Sequence, residues 1–309
     1  MPPSIVEFSR LEVLSSFSDP TEITQIIPAE GRPNETLYIR ERWRRADELG
    51  GGNWGIVYLQ HCLDPGKSNK IRAVKEIRRH IRVDVNRELE AAALFSHHKF
   101  EKSFVKSFGW YETANTICLT MEHMDHGDLS RQLYGPLPEA QAQSITAQVV
   151  QGLVYMHEKG FAHRDLKPAN ILVHQPGPDW WVKLADFGFS KRAETGVSEF
   201  RSTVFTYTNA VDVWSAGVIS FLLMTGKLPF PDNRLETYHR AWPDLPHYEL
   251  ASQNTSQEGF NFIQTSLSIE PLHRPTARDC LSHPWLCEQN GPWRSLGQHE
   301  SPALPPRPG

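Results

Sequence analysis

Three stretches of this sequence carry residue types at spacings suited to handling phosphate. The first, Leu49-Gly50-Gly51-Gly52-Asn53-Trp54-Gly55-Ile56-Val57, has the form G-x-G-x-x-G-x-V. Glycines leave no side chain between backbone N–H groups and an anionic oxygen, so such a loop can close over phosphates. The same string also reads as a plain turn, and a dinucleotide-binding loop shares its pattern. That last version requires a helix directly after the glycines, whereas Ile56-Val57-Tyr58-Leu59 continues as a strand. The second stretch is Ala73-Val74-Lys75, with Glu88 thirteen residues later. A lysine directed into a cleft can hold phosphate charge, and a carboxylate can hold the lysine in place. Taken one at a time, both also read as solvated surface residues. The third is His163-Arg164-Asp165-Leu166-Lys167-Pro168-Ala169-Asn170, followed by Asp186-Phe187-Gly188.

These residues need elements to position them. Around the glycine string, from Trp43 to about Ala73, short apolar spacing and a turn at Asp64-Pro65-Gly66 predict β-hairpins. Val85 to Phe95 reads as a helix, with Val85, Leu89, Ala92, Ala93 and Leu94 close to one face. Strand-like segments follow at Phe104 to Tyr111 and Thr116 to Met121. After Gly135-Pro136 the pattern becomes helical: Pro138 to His157, Val211 to Met224, Phe260 to Leu267, and Thr276 to Leu281 with a threonine cap. Ile171-Leu172-Val173 and Trp181-Val182-Lys183-Leu184 flank Pro176-Gly177-Pro178 as a small hairpin. Residues 1–42 show no sustained periodicity and read as a flexible leader, and residues 287–309 read as an unfolded Pro-rich tail.

The chain has 309 residues, with 32 Lys and Arg against 36 Asp and Glu, a formal charge of −4. That balance argues against a nucleic-acid binder. A mean hydropathy of −0.46 and no apolar run long enough to cross a bilayer argue against a membrane protein. No N-terminal apolar stretch suggests a secretory signal. The four cysteines, at 62, 118, 280 and 287, share no Cys-x-x-Cys spacing, so free thiols in the cytoplasm or nucleus are expected. The 14 histidines give little support to a zinc site.

The glycine string, Lys75, the His163–Asn170 string and Asp186-Phe187-Gly188, in this order and spacing, resemble the eukaryotic protein kinase family. The resemblance implies an α+β bilobal fold over residues 43–286. Its small β-rich lobe with one key helix would span about 43–121, its hinge 122–128 and its helical lobe 129–286. It implies ATP and Mg2+ as cofactors and protein serine or threonine hydroxyls as substrates. Residues Leu49 to Gly55 would cover the phosphates, Lys75 would pair with the α- and β-phosphates, and Glu88 would anchor Lys75. Asp165 would be the catalytic base, while Asn170 and Asp186 would hold magnesium, which favours hard oxygen ligands. Lys167 resembles the residue of the serine/threonine subfamily. In Met121-Glu122-His123-Met124, Met121 matches the gatekeeper, and the backbone of Glu122 and Met124 would bind adenine. Asp128 matches a ribose contact, and Val57, Ala73 and Leu172 match the apolar adenine sandwich. Arg164 would capture a phosphate on the activation segment, with Ser202, Thr203 and Thr206 as candidate acceptors.

One part departs from the family. Between Gly188 and Asp212 there is no A-P-E, and roughly ten residues of the usual segment are missing. Arg274 matches the arginine that pairs with the A-P-E glutamate, so its expected partner is gone. This leaves a second reading, an ATP-binding pseudokinase or scaffold. A third class, an interaction module, is raised by Pro302-Ala303-Leu304-Pro305-Pro306-Arg307, a P-x-x-P-x-R string of the kind SH3 domains bind. The segments Phe189-Ser190 and Ser282-His283-Pro284-Trp285-Leu286 look most like calcium/calmodulin-dependent kinases.

Overall fold

The computed structural model describes residues 4–15, 19, 21–29, 37–52, 55–67, 69–79, 85–188, 190–192, 199–230 and 247–287, with residues 15, 29, 37, 52, 191–192 and 199–208 described by their backbone alone. Asn53, Trp54, Phe189, the Pro-rich tail beyond Cys287 and the side chains of Ser202, Thr203 and Thr206 lie outside the described residues.

The hairpins read between Trp43 and Ala73 are present and belong to a larger sheet. A short helix, α1 (Ile5–Phe8), precedes β1 (Glu12–Ser15), β2 (Glu22–Ala29), β3 (Leu37–Gly52), β4 (Gly55–Cys62) and β5 (Ile71–Arg78). After α2 (Val85–Phe95) come β6 (Ser107–Glu112) and β7 (Thr116–Met121), giving the order β1-β2-β3-β4-β5-β7-β6. The pairs are antiparallel throughout. Residues Ser9 to Leu11, just before β1, exchange backbone hydrogen bonds with Trp110 of β6, so the sheet closes on itself. Its interior holds Ile23, Trp43, Cys62, Val74, Tyr111 and Cys118, with Leu11 and Val13 packed against them.

The flexible leader expected over residues 1–42 is therefore corrected for its described part. β1, β2 and the start of β3 are strands of the sheet, and Ile23 is buried in it. The reason is pairing: β2 runs against β3 from Glu22 opposite Arg44 to Ala29 opposite Leu37. Strands without clean alternation are still held when a long neighbour offers a full ladder.

In α2 the buried face is Glu88, Leu89, Ala91, Ala92 and Phe95, a slight rotation from the one read off the sequence. The helical half contains α3 (Glu139–Glu158), β8 (Phe161–Ala162), β9 (Ile171–Gln175), β10 (Trp181–Leu184), β11 (Lys191–Arg192) and α4 (Glu199–Thr225). It ends with α5 (His247–Ser252), α6 (Gln257–Ser266), α7 (Ala277–Leu281) and α8 (Pro284–Cys287). β9 and β10 form the expected hairpin, and Thr276 caps α7 in a reciprocal box with Asp279. Helix α4 begins at Glu199 rather than Val211; no proline or glycine interrupts residues 199–216, so nothing in the sequence stops it. One core cluster runs from Leu89 and Phe95 of α2 through Ile145 and Leu153 of α3 to Val213 and Ile219 of α4. A β-sheet lobe carrying α2 and the short α1, over a helical lobe, is the expected α+β bilobal architecture.

Candidate active site

Side chains alternate along β5. Val74 enters the sheet interior, while Ala73 and Lys75 face a cleft of about 820 Å³ between the lobes. Lys75 Nζ lies 2.6 Å from Glu88 Oε1 on α2 and 2.7 Å from Asp186 Oδ1, which follows β10. Lys75 and Glu88 are both buried. Burial opposes the charge on Lys75, but Glu88 and Asp186 outweigh it and hold the ammonium above its ordinary range. Burial would likewise raise Asp186, but Lys75 and the Gly188 N–H pull it below its ordinary value. Burial pushes the Glu88 carboxyl up. Phe187 packs 5.7 Å from Phe95 and 5.9 Å from Phe104, centroid to centroid, which ties the Asp186 turn to α2.

Across the cleft, the segment between β8 and β9 carries Asp165. Its Oδ2 accepts from Lys167 Nζ at 2.8 Å and from Asn170 Nδ2 at 3.0 Å, and Asn170 also donates to the Asp165 carbonyl at 2.7 Å. The backbone is unusual here: Arg164 has φ 67° and Asp186 φ 62°, a left-handed region that non-glycine residues seldom occupy. What holds it is Asp212 of α4. This fully buried carboxylate accepts the backbone N–H of His163 at 2.8 Å and of Arg164 at 2.7 Å, and meets His157 Nε2 at 2.8 Å. His163 Nε2 in turn lies 3.1 Å from the carbonyl of Ala185, next to Asp186. Asp212 and His157 were not among the site residues expected from the sequence. The signal that could have found Asp212 is an aspartate inside a strongly apolar helix, since a buried charge needs partners.

The cleft is lined by Leu49, Gly50, Gly51, Gly55, Val57, Ala73, Lys75, Glu88, Met121, Glu122, Met124, Asp128, Asp165, Lys167, Asn170, Leu172 and Asp186. Gly52 pairs with Gly55 at the hairpin tip. The glycines differ in their reasons. A Cβ on Gly50 would meet open space, whereas one on Gly55 would sit 2.3 Å from the carbonyl oxygen of Glu76 in β5. Gly50 thus leaves room for a ligand, and Gly55 lets two strands approach. The dinucleotide alternative is excluded by β4, a strand directly after the glycines.

At the hinge, Glu122 Oε1 accepts from Lys183 Nζ and from the Lys106 N–H, each at 2.7 Å. Asp128 faces the cleft, but its carboxylate is also engaged by Ser130 and, at 3.0 Å, by Arg131 Nε. Arg131 also donates to the carbonyl of Leu49 at 3.4 Å, linking the cleft's two lips. Arg274, whose expected glutamate partner is absent from the sequence as A-P-E, is engaged by several groups of the helical lobe. It donates to the carbonyls of Ser268, Ile269 and Ala210 at 2.7, 3.1 and 2.9 Å, and lies 4.7 Å from the Trp214 ring centroid. Backbone acceptors and an aromatic face thus engage the Arg274 guanidinium.

Comparison with known proteins agrees with this arrangement. The family described as protein kinase domain matches residues 43–286. A probable myosin light chain kinase of Dictyostelium discoideum is 31% identical over 268 residues, covering 79% of this chain and 82% of the relative. Calcium/calmodulin-dependent protein kinase type 1 of Caenorhabditis elegans is 28% identical over 275 residues, covering 82% and 76%. Among solved structures, Rad53 residues 1-466 in complex with AMP-PNP superposes with a TM-score of 0.66 at 28% identity, covering 79% of this chain and 65% of that one. With a lysine-centred cleft between two lobes and these relatives, the chain belongs to the eukaryotic serine/threonine protein kinase family.

Proposed function

We propose that the chain transfers the γ-phosphoryl group of ATP to serine or threonine hydroxyls of proteins. The observation that carries this reading is Lys75, held between Glu88 and Asp186 on one wall of the cleft, opposite Asp165, Lys167 and Asn170. Lys75, fixed and charged, would hold the α- and β-phosphates. Asn170 and Asp186 supply oxygen ligands of the hard kind that magnesium takes, and few protein ligands suffice when phosphate oxygens complete the shell. The open space at Gly50 fits a phosphate chain beneath the hairpin tip. Magnesium, when bound, would neutralise charge building on the phosphates.

Asp165 would act on the substrate. Lys167 and Asn170 fix its Oδ2, which leaves Oδ1 to accept the proton of an incoming hydroxyl. Lys167, about half exposed beside Asp165, would stabilise the charge of the transferring group. Apolar Val57, Ala73 and Leu172 would sandwich the base, with the backbone of Glu122 and Met124 as its hydrogen-bonding edge.

The missing A-P-E favours a second reading, an ATP-binding scaffold without protein transfer. Transfer of labelled phosphate to a generic basic protein separates the two, with Asp165→Asn as control. Signal in the parent and loss in the variant are expected; equal signals would sink the enzyme reading. Stabilisation by magnesium-ATP in a thermal melt, abolished in Lys75→Met, would then identify a scaffold that still binds nucleotide.

A further inference from the structure

Residues 4–11 precede the matched kinase region, yet they touch the helix that carries Glu88. Helix α1 packs on α2, and Val6 is seated against the core cluster that contains Leu89, Ala92 and Phe95 of α2 and Trp110 of β6. Trp110 grips the segment at three points. Its indole Nε1 donates to the carbonyl of Val6 at 2.8 Å, its backbone N–H donates to Ser9 at 3.1 Å, and its carbonyl accepts from Leu11 at 2.7 Å. Arg10 adds a guanidinium 5.2 Å from the Trp110 ring centroid and an ion pair of 3.6 Å to Glu112.

Strand β6 is shaped for this approach. Gly109 has φ 113°, and a Cβ there would come within 2.4 Å of the carbonyl oxygen of Ser9 and 2.8 Å of the Leu11 side chain. A residue other than glycine would push the segment away. Trp110 is itself buried, so without Val6 its N–H would need another acceptor in an apolar setting.

We propose that Ser4 to Leu11 form a built-in brace that fixes α2 from outside the cleft and so keeps Glu88 on Lys75, with Val6 and Trp110 as positioning residues. The proposal rests on the phosphotransfer reading for its consequence, because misplacing a catalytic group by about 1 Å can cost on the order of a hundredfold in rate. A contact of 2.6 Å between Lys75 and Glu88 would not survive such a shift of α2.

The test uses full-length protein carrying Val6→Asp, Val6→Ile, Trp110→Phe or Phe8→Asp. Phe8 is 73% exposed on the same short helix and serves as the charge control. Two measurements are made: kcat and KM for ATP in transfer to a basic protein, and amide hydrogen exchange along the chain, which needs no activity. Val6→Asp is expected to lower kcat/KM for ATP about tenfold or more and to speed exchange in residues 85–95. Trp110→Phe should act in the same direction more weakly, while Val6→Ile and Phe8→Asp match the parent. Unchanged exchange in α2 of Val6→Asp would overturn the brace, as would faster exchange spread equally through α3 and α6. A parent protein without transfer activity, but with α2 exchange still responding to Val6→Asp, would sink the phosphotransfer reading and keep the brace.

Discussion

The carboxylate of Asp212 takes the backbone N–H of Arg164 at 2.7 Å, one residue before Asp165, where φ is 67°. A residue in α4 thus sets the backbone from which the proposed base projects. Replacing Asp212 by alanine leaves the N–H groups of His163 and Arg164 without their acceptor, at about 1–3 kcal/mol for each unpaired buried group. Asp212→Ala should unfold at lower urea concentration and lose kcat, and Asp212→Asn, which keeps one acceptor oxygen, should fall between. Parent-like kcat in Asp212→Ala would show that the loop holds its own shape.

The ion pair beneath the glycine hairpin sets a pH dependence. Asp186 is held below its ordinary 3.8, so the stability it contributes is complete above that value and is lost as pH falls through its lower folded value. Lys75 is held above 10.5, so its contribution is complete below 10.5 and is lost only at still higher pH. Glu88 runs the other way: burial raises it above 4.5, so its contribution to folding is complete below 4.5 and fades as pH rises through its folded value. Anchoring Lys75 nevertheless needs the ionised form. The acid limb of kcat/KM for ATP is therefore expected above pH 4.5, and it should disappear in Glu88→Gln, along with much of the activity. A limb that is unaltered by Glu88→Gln would assign it elsewhere.

Two glycines of the same string should respond differently. Gly55→Ala drives a methyl into the Glu76 carbonyl and should cost about 1–3 kcal/mol in thermal or urea unfolding. Gly50→Ala meets open space, so it should melt like the parent while changing KM for ATP. Equal loss of stability in both would mean that the hairpin tip packs differently.

Ile23 tests whether the N-terminal strands belong to the folded unit. It is 6% exposed inside the closed sheet, so Ile23→Ala should cost about 2–5 kcal/mol. No change in the unfolding midpoint would return residues 1–42 to the status of a leader.

Much of the site was legible because its chemistry is local in sequence. The glycine string, Lys75, the Asp165 to Asn170 run and Asp186 are each recognisable from neighbours a few positions away, and helix and strand periods placed α2, α3, β7, β9 and β10 close to where they stand. Sequence alone determined which residue types were available for phosphate chemistry and in what order. Only tertiary structure decided the rest, because it depends on contacts between distant segments. A buried carboxylate at Asp212 gains its role from N–H groups 48 and 49 positions earlier. Arg274 finds Ala210 and Trp214 because α4 passes beside it. Residues 4–15, 21–29 and 37–42 carry weak periodicity and take their places because β3 and Trp110 offer backbone partners that no local pattern announces. Backbone hydrogen bonding is indifferent to side-chain identity, so a strand recruited by a ladder leaves little mark on its own sequence.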